Sequence, residues 1–296
     1  MKISKALKNW YATGKTTFFQ GHRVFYQDSG VGDNVLLLIH GFPTAGWDWH
    51  RVWENLKGQY RLVSIDMLGF GFSDKPRSHS FSIHAQADLI EFILAELGLN
   101  KVHVLAHDYG DTVAQELAAR YLQQSEGSLK IETMTLLNGG LFPEQHRARL
   151  IQKLLVSPLG PLLSSLATRR TFESNLNAVF GSETKLNSAE MADLWHLFSF
   201  HRGHRKSHIM LHYIADRVAH RARWVGALQS LDVPLLLING TADPVSGGHM
   251  ADHYESLIPD PNVIRLEGIG HYPQLEAPTD VIEHVSSFIQ TNRDLA

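Results

Sequence analysis

The sequence predicts an α/β fold: a mostly parallel eight-stranded sheet flanked by helices, with a helical lid inserted late in the chain. Three observations carry this expectation. Short apolar runs of strand composition alternate with helical stretches along most of the chain, the rhythm of a parallel sheet. Between about residues 140 and 224 that rhythm stops, and helical segments continue without a convincing strand. The 296 residues, 44% of them hydrophobic, suit one large domain with an insertion. The expected division is a core of residues 1–139 and 225–296 and a lid of residues 140–224.

Taken in order, Phe18 to Tyr26 reads as a hairpin, and strands are expected near 35–39, 61–66, 102–106, 131–137, 234–239 and 262–266. Apolar residues at helical spacing place helices between Ser80 and Gly98, Tyr109 and Gln124, and Gln274 and Arg293. Gly69-Phe70-Gly71 lacks the third glycine of a dinucleotide fingerprint and reads as a turn.

Chemistry enters at the strand ends. The run Val102-His103-Val104-Leu105 breaks into Ala106-His107-Asp108-Tyr109-Gly110, a small-x-Asp-x-Gly turn that opens a helix. This is a nucleophile elbow carrying aspartate, with Ala106 and Gly110 relieving the crowding of a strained turn. A carboxylate is poorly suited to an acyl-enzyme route, but it can displace a leaving group from saturated carbon and form an alkyl-enzyme ester. Val35 to Ile39 ends in His40-Gly41-Phe42-Pro43, so the N–H groups of Phe42 and Tyr109 are the expected oxyanion hole. Pro234 to Gly240 is followed by Thr241-Ala242-Asp243-Pro244, and Val263 to Leu266 runs into a glycine-rich loop presenting His271. Asp108, Asp243 and His271 thus all follow strand ends, where open parallel sheets bind ligands. Their chain order is that of the α/β-hydrolase triad.

The chain resembles the α/β-hydrolase superfamily, in the branch of epoxide hydrolases and haloalkane dehalogenases, and more closely the mesoderm-specific transcript proteins. The residues that carry the closer likeness are FYQDS (25–29), HGFPT (40–44), LGFGFSDKPR (68–77), HDYGDTVAQEL (107–117), NGGLFPEQHR (138–147), RWVGAL (223–228) and HYPQLEAP (271–278). The resemblance implies Asp108 as nucleophile, Asp243 as the acid that orients His271, and His271 as general base. No cofactor and no metal are expected, and the leucine-rich lid points to a lipophilic small molecule, with water, as reactants.

Departures from the relatives bear on the leaving group. Haloalkane dehalogenases typically carry Trp after the nucleophile and many have Asn or Glu at the oxyanion turn, where this chain has Tyr109 and Phe42. Epoxide hydrolases typically share His-Gly-Phe-Pro and add two lid tyrosines, whereas Tyr213 is the only tyrosine between Asn138 and Trp224. Tyr213, His40 and Trp195 are the candidates for contacting substrate, Tyr213 as the acid. An epoxide-like substrate is favoured; haloalkane, β-lactone and ester are the alternatives. A non-catalytic binding module on the same fold is the alternative of another class.

Neighbouring residues have plainer readings. Asn138 stands where some relatives place the acid, but an amide cannot balance imidazolium. Asp111 suits the first turn of a helix as a cap or ion pair, or perturbs Asp108. His201, His204, His208 and His212 would align on one helix face, yet Arg202, Arg205 and Lys206 repel a cation there. The basic run from Arg202 to Arg223 reads as a solvated face, with an anionic head group or weak membrane-surface contact as its alternative. Leu150, Ile151, Leu154, Leu155, Leu159, Leu162, Leu163 and Leu166 are dense enough to require burial against the core or over an apolar cleft.

Composition narrows the rest. Cys 0 excludes a disulfide framework, a thiol nucleophile and a cysteine zinc site, and a net charge of −3 argues against nucleic acid as a partner. Met1 to Lys15 is basic and interrupted, with no apolar run fit for a signal peptide or membrane span, so a cytoplasmic enzyme is expected.

Overall fold

In the computed structural model, which describes residues 3–76, 81–123 and 129–293, the sheet has the expected eight strands. They are β1 (Lys15–Phe19), β2 (His22–Asp28), β3 (Val35–Ile39), β4 (Arg61–Ile65), β5 (Lys101–His107), β6 (Lys130–Leu137), β7 (Leu235–Gly240) and β8 (Val263–Leu266), in the order β1-β2-β4-β3-β5-β6-β7-β8. β1, β2 and β4 pair antiparallel, and all pairs from β4 to β8 are parallel. Alternate residues feed two cores: Val35, Leu37 and Ile39 enter one, Leu36 and Leu38 the other. Burial on both faces is why the central strands read as unbroken apolar runs.

Helices α1 (Lys5–Thr13), α2 (His50–Leu56), α3 (Ile83–Glu96) and α4 (Tyr109–Leu122) belong to the first half of the core. Between β6 and β7 lie α5 (Leu150–Leu155), α6 (Gly160–Ser165), α7 (Arg169–Asn177), α8 (Ser188–Ser199), α9 (Ser207–Met210), α10 (Tyr213–Ala219) and α11 (Arg221–Ser230). α12 (Gly248–Leu257), α13 (Pro273–Glu276) and α14 (Pro278–Arg293) complete the chain. The expected helix ends Ser80 and Gln124, and Arg77 of the 68–77 motif, lie outside the described residues.

Two expectations are corrected. The helix expected from Gln274 to Arg293 is divided, because Ala277, preceding Pro278, is held at φ −133°, ψ 58°; the proline ring bars the helical region to its predecessor. His201 to His212 do not share a helix face, since residues 200–206 form a 3₁₀ stretch with His201 and Arg202 at φ 49° and 61°. α11 packs on α4 through buried Glu116, which accepts from Arg223 Nε at 2.7 Å and Trp224 Nε1 at 2.8 Å. The expected boundary at residue 224 therefore falls inside a helix that is fastened to the core.

Candidate active site

β5 ends in a strained turn. Asp108 sits at φ 50°, ψ −106°, a conformation that costs a non-glycine residue on the order of 1–3 kcal/mol and clusters at functional sites. Gly110 is required beside it, because a Cβ there would lie 2.4 Å from the Ile39 carbonyl oxygen. Phe42 N–H donates to Asp108 Oδ2 at 3.1 Å. Tyr109 is the first residue of α4, so its N–H has no acceptor within the helix. One N–H group thus donates to the carboxylate, and the Tyr109 N–H beside it is left without a helical acceptor.

The loop after β8 brings His271 Nε2 to 3.9 Å from Asp108 Oδ2, while Nδ1 lies 2.7 Å from Asp243 Oδ2. Asp243 is fixed in turn: Val245 N–H donates to Oδ1 at 2.8 Å, Ser246 Oγ to Oδ2 at 2.8 Å and Asn138 Nδ2 to Oδ2 at 3.1 Å. Asn138 is therefore the acid's partner rather than its substitute. The His271 loop is pinned from both sides. His107 Nε2–H donates to the His271 carbonyl at 2.7 Å, and Glu276 accepts from the N–H groups of Gly270 and Tyr272, both at 2.9 Å, and of Gly181 at 2.8 Å. Gly181 belongs to the insertion, so the His271 loop and the insertion are stitched together.

Above Asp108 and His271 opens a chamber of about 110 Å³, lined also by Phe42, Leu176, Val179 and Tyr272. It adjoins a larger pocket of about 340 Å³ built from Leu155, Leu163, Leu166, Phe198 and Leu211. Phe42, Pro43, Ile151, Gln152, Phe172 and Asn175 line both. A reactive end at Asp108 and an apolar remainder beyond Phe42 would fit such a pair of cavities.

Comparison with known proteins identifies the family. The model of the alpha/beta hydrolase fold family matches residues 34–278. The chain belongs to the α/β-hydrolase family. This hydrolase is 41% identical over 300 residues to the mesoderm-specific transcript protein of Mus musculus, covering 98% of this chain and 90% of that one. It is 36% identical to the putative hydrolase LipZ of Mycobacterium tuberculosis, covering 97% and 99%. In fold it is similar to the haloalkane dehalogenase DbeA of Bradyrhizobium elkani, with TM-score 0.80, 22% identity and coverage of 96% and 99%. The epoxide hydrolase CorEH shares the fold at TM-score 0.77 and 20% identity, covering 94% and 99%.

The electrostatics of the hydrolase site are set by burial and four charges. Burial pushes the Asp108 carboxyl up, but hydrogen bonding and charge from His271, then the charge of Arg217, outweigh it and hold Asp108 below the usual carboxylate range. Burial pushes the His271 imidazolium down, yet Asp243 and Asp108 carry it well above its ordinary value. Asp108, Asp243, His271 and Arg217 therefore balance as two anions and two cations. Asp111 is different. Enclosed at 0% exposure, it lies near the Leu137 backbone but neither oxygen reaches a partner at hydrogen-bonding geometry. Burial, then the Asp108 charge, raise it well above its ordinary value, which favours the protonated acid over a helix-cap anion.

Three enclosed imidazoles are held neutral, chiefly by burial: His40 and His146 are pushed down to about 4 and His107 to about 3. Unfolded histidine takes up a proton below about 6.5, so stability present above that pH is lost as pH falls toward 4. The loss approaches roughly 1.4 kcal/mol per pH unit for each histidine once the unfolded form is fully protonated. His271, with its raised value, has the opposite sign: its contribution is complete below about 6.5 and fades as pH rises through its folded value. Unfolding midpoints recorded from neutral to mildly acidic pH should drop steeply; a flat profile would contradict the buried neutral histidines.

The structure brings Asp108, Asp243, His271 and Phe42 together, with Tyr109 following Asp108 in the chain. The three substrate-contact candidates do not line either cavity. His40 is fully enclosed, its Nδ1–H donating to Gly41 O at 2.9 Å and its Nε2 accepting from Met67 N–H at 3.2 Å, so it braces the oxyanion turn. Trp195 stands behind Phe172 and Phe198, with ring centroids 5.6 and 6.0 Å away. Tyr213 is buried behind Phe42, its ring 6.2 Å from Phe42 and 4.9 Å from Tyr109.

Arg217 is the residue that the sequence reading missed. Expected on a solvated basic face, it is 2% exposed, with Nε donating to Thr112 Oγ1 at 2.7 Å and Nη2 to the Asp108 carbonyl at 3.2 Å. Its guanidinium lies 4.5 Å from the ring centre of Tyr213. The signal was the spacing of Tyr213 and Arg217, one helical turn apart and facing the same way.

Proposed function

We propose that this hydrolase opens epoxide-like lipophilic molecules through a covalent ester on Asp108. The observation that carries the reading is the position of one atom: Asp108 Oδ2 lies 3.1 Å from Phe42 N and 3.9 Å from His271 Nε2, on an elbow occupied by a carboxylate instead of a hydroxyl. Chamber and apolar pocket supply room for a reactive head and a hydrocarbon body.

In the first step Asp108 attacks an epoxide carbon, the C–O bond breaks, and the departing oxygen takes a proton. The donor must reach the chamber, and Tyr272 lines it whereas Tyr213 does not. Burial, then Asp48 and Asp108, hold the Tyr272 phenol well above its ordinary value, so it is protonated and must be re-protonated after donating. The imidazolium of adjacent His271 supplies that proton and becomes neutral. Alkylation also cancels the Asp108 charge, removing one of the two carboxylates that kept His271 protonated. Neutral His271 then takes a proton from water, hydroxide adds to the Asp108 carboxyl carbon, and the N–H groups of Phe42 and Tyr109 hold the oxyanion. Collapse releases the diol and restores carboxylate and imidazolium. Epoxide and water are consumed, and no proton is left over.

Two experiments test this. A single turnover with excess enzyme in ¹⁸O-water should yield unlabelled diol and place the label on the peptide carrying Asp108; label arriving directly in the diol would mean water attacks the substrate itself. Tyr272→Phe should slow alkylation about 10²- to 10⁴-fold, the span of general-acid catalysis, with Tyr213→Phe costing far less. The reverse ranking in rapid-quench measurements would return the donor role to Tyr213.

A further inference from the structure

The insertion exposes a face that its composition does not explain. Of the eight apolar residues expected to be buried in α5 and α6, Leu150, Leu154, Leu159, Leu162 and Leu166 are exposed, at 73%, 37%, 57%, 57% and 63%. Their partners Ile151, Leu155 and Leu163 face inward and line the apolar pocket. Leu150 and Leu154 lie one helical turn apart with exposed Lys153 between them. Leu166 is exposed and also lines the pocket, so the outer apolar face is continuous with the cavity that leads to Asp108.

Charge around this face is predominantly basic, although Arg169 is paired with Glu173 at its edge. From Gln145 to Phe172 the chain carries Arg147, Arg149, Lys153, Arg169 and Arg170 and no acidic residue. The stretch from Leu194 to Ala215, whose 3₁₀ turn packs against α6, adds Arg202, Arg205 and Lys206, again with no acid. The whole chain nevertheless has a net charge of −3, so the basic charge is concentrated here.

We infer that the α5–α6 face docks on an anionic lipid surface, from which a lipophilic substrate enters the apolar pocket without crossing water. Exposed leucines inside a predominantly basic border are the composition of an interfacial segment. A second copy of this chain is the poorer occupant, because a two-fold interface would set this basic border against itself. No helix among the described residues is long and apolar enough to cross a membrane, so the contact is peripheral. The inference stands on the surface and does not depend on the chemistry assigned to Asp108.

The test is flotation of the full chain with vesicles of phosphatidylcholine alone or mixed with phosphatidylglycerol. The protein should float with the mixed vesicles, much less with the neutral ones, and less again in high salt. The variant Leu150→Ser/Leu159→Ser/Leu162→Ser alters no pocket-lining residue. It should lose partitioning on the order of a hundredfold while keeping its unfolding midpoint and its turnover of a short, water-soluble epoxide. The Asp108→Ala variant should float like the wild type, which separates docking from catalysis. Absence of flotation, equal flotation of the triple-serine variant, or a dimer in light scattering that this variant dissociates would overturn the inference.

Discussion

The His271→Gln variant is expected to alkylate once and then stop. On the proposed mechanism the ester on Asp108 is hydrolysed by water that neutral His271, held by Asp243 at 2.7 Å, deprotonates. Glutamine cannot take a proton from water, so the second step loses its base, and steady-state turnover should fall on the order of 10⁴-fold. The first step survives in slower form, since the phenol must then be re-protonated by solvent. Rapid-quench analysis should therefore show one equivalent of adduct per enzyme with the mass of the epoxide, and intact mass followed by peptide mapping should place it on Asp108. Asp108→Ala should abolish adduct and turnover together. Continued turnover by the His271 variant, or an adduct on another residue, would sink the covalent mechanism. In the wild type the same chemistry imposes a pH rule. Hydrolysis needs neutral His271 in the alkyl-enzyme, where the Asp108 charge is gone, so that half-reaction rises with pH through a value lower than in the free enzyme.

How much of this was legible beforehand follows from which forces act locally. Strands β3, β5 and β7 were readable because burial on both faces writes a continuous apolar run into the sequence. The elbow was readable because steric crowding at one backbone position demands small residues at fixed offsets, here Ala106 and Gly110. His40 was misread as a ligand group because composition cannot say that Met67 and Gly41 would occupy both ring nitrogens. The leucines of α5 and α6 were expected inside because hydrophobicity alone does not distinguish a core from a surface that meets something apolar. Asp111 looked like an ordinary first-turn anion; only the packed interior, where Gly139 leaves room for its side chain, favours the protonated acid. The most consequential omission, Arg217, has a long-range cause: its partners Thr112 and Asp108 lie 105 and 109 residues earlier.

Arg217 is where the insertion grips the elbow, and its replacement should have the second largest effect. One hydrogen bond reaches Thr112 in the first turn of α4 and one reaches the carbonyl of the strained Asp108 peptide. A further nitrogen–oxygen distance of 3.9 Å brings the guanidinium charge to the Asp108 carboxylate. Gly140 lies so close that a Cβ there would come within 2.1 Å of Nη1, so the guanidinium is also fixed by packing. Arg217→Met keeps the apolar stem but strands a buried carbonyl and removes one of the two cations that balance Asp108 and Asp243. Breaking such a buried arrangement costs about 3–5 kcal/mol, visible as a lowered unfolding midpoint. A purely structural role predicts nothing more. The positioning role predicts that Asp108 loses part of what holds its proton affinity down, so the acid limb of the alkylation half-reaction moves to higher pH. Arg217→Lys should restore the charge but not both hydrogen bonds, because an ammonium lacks the planar fork. It should therefore recover most of the pH shift and little of the stability. A Met variant that is merely less stable, with an unshifted acid limb, would reduce Arg217 to a fastening of α10 and leave the charge of Asp108 to His271 alone.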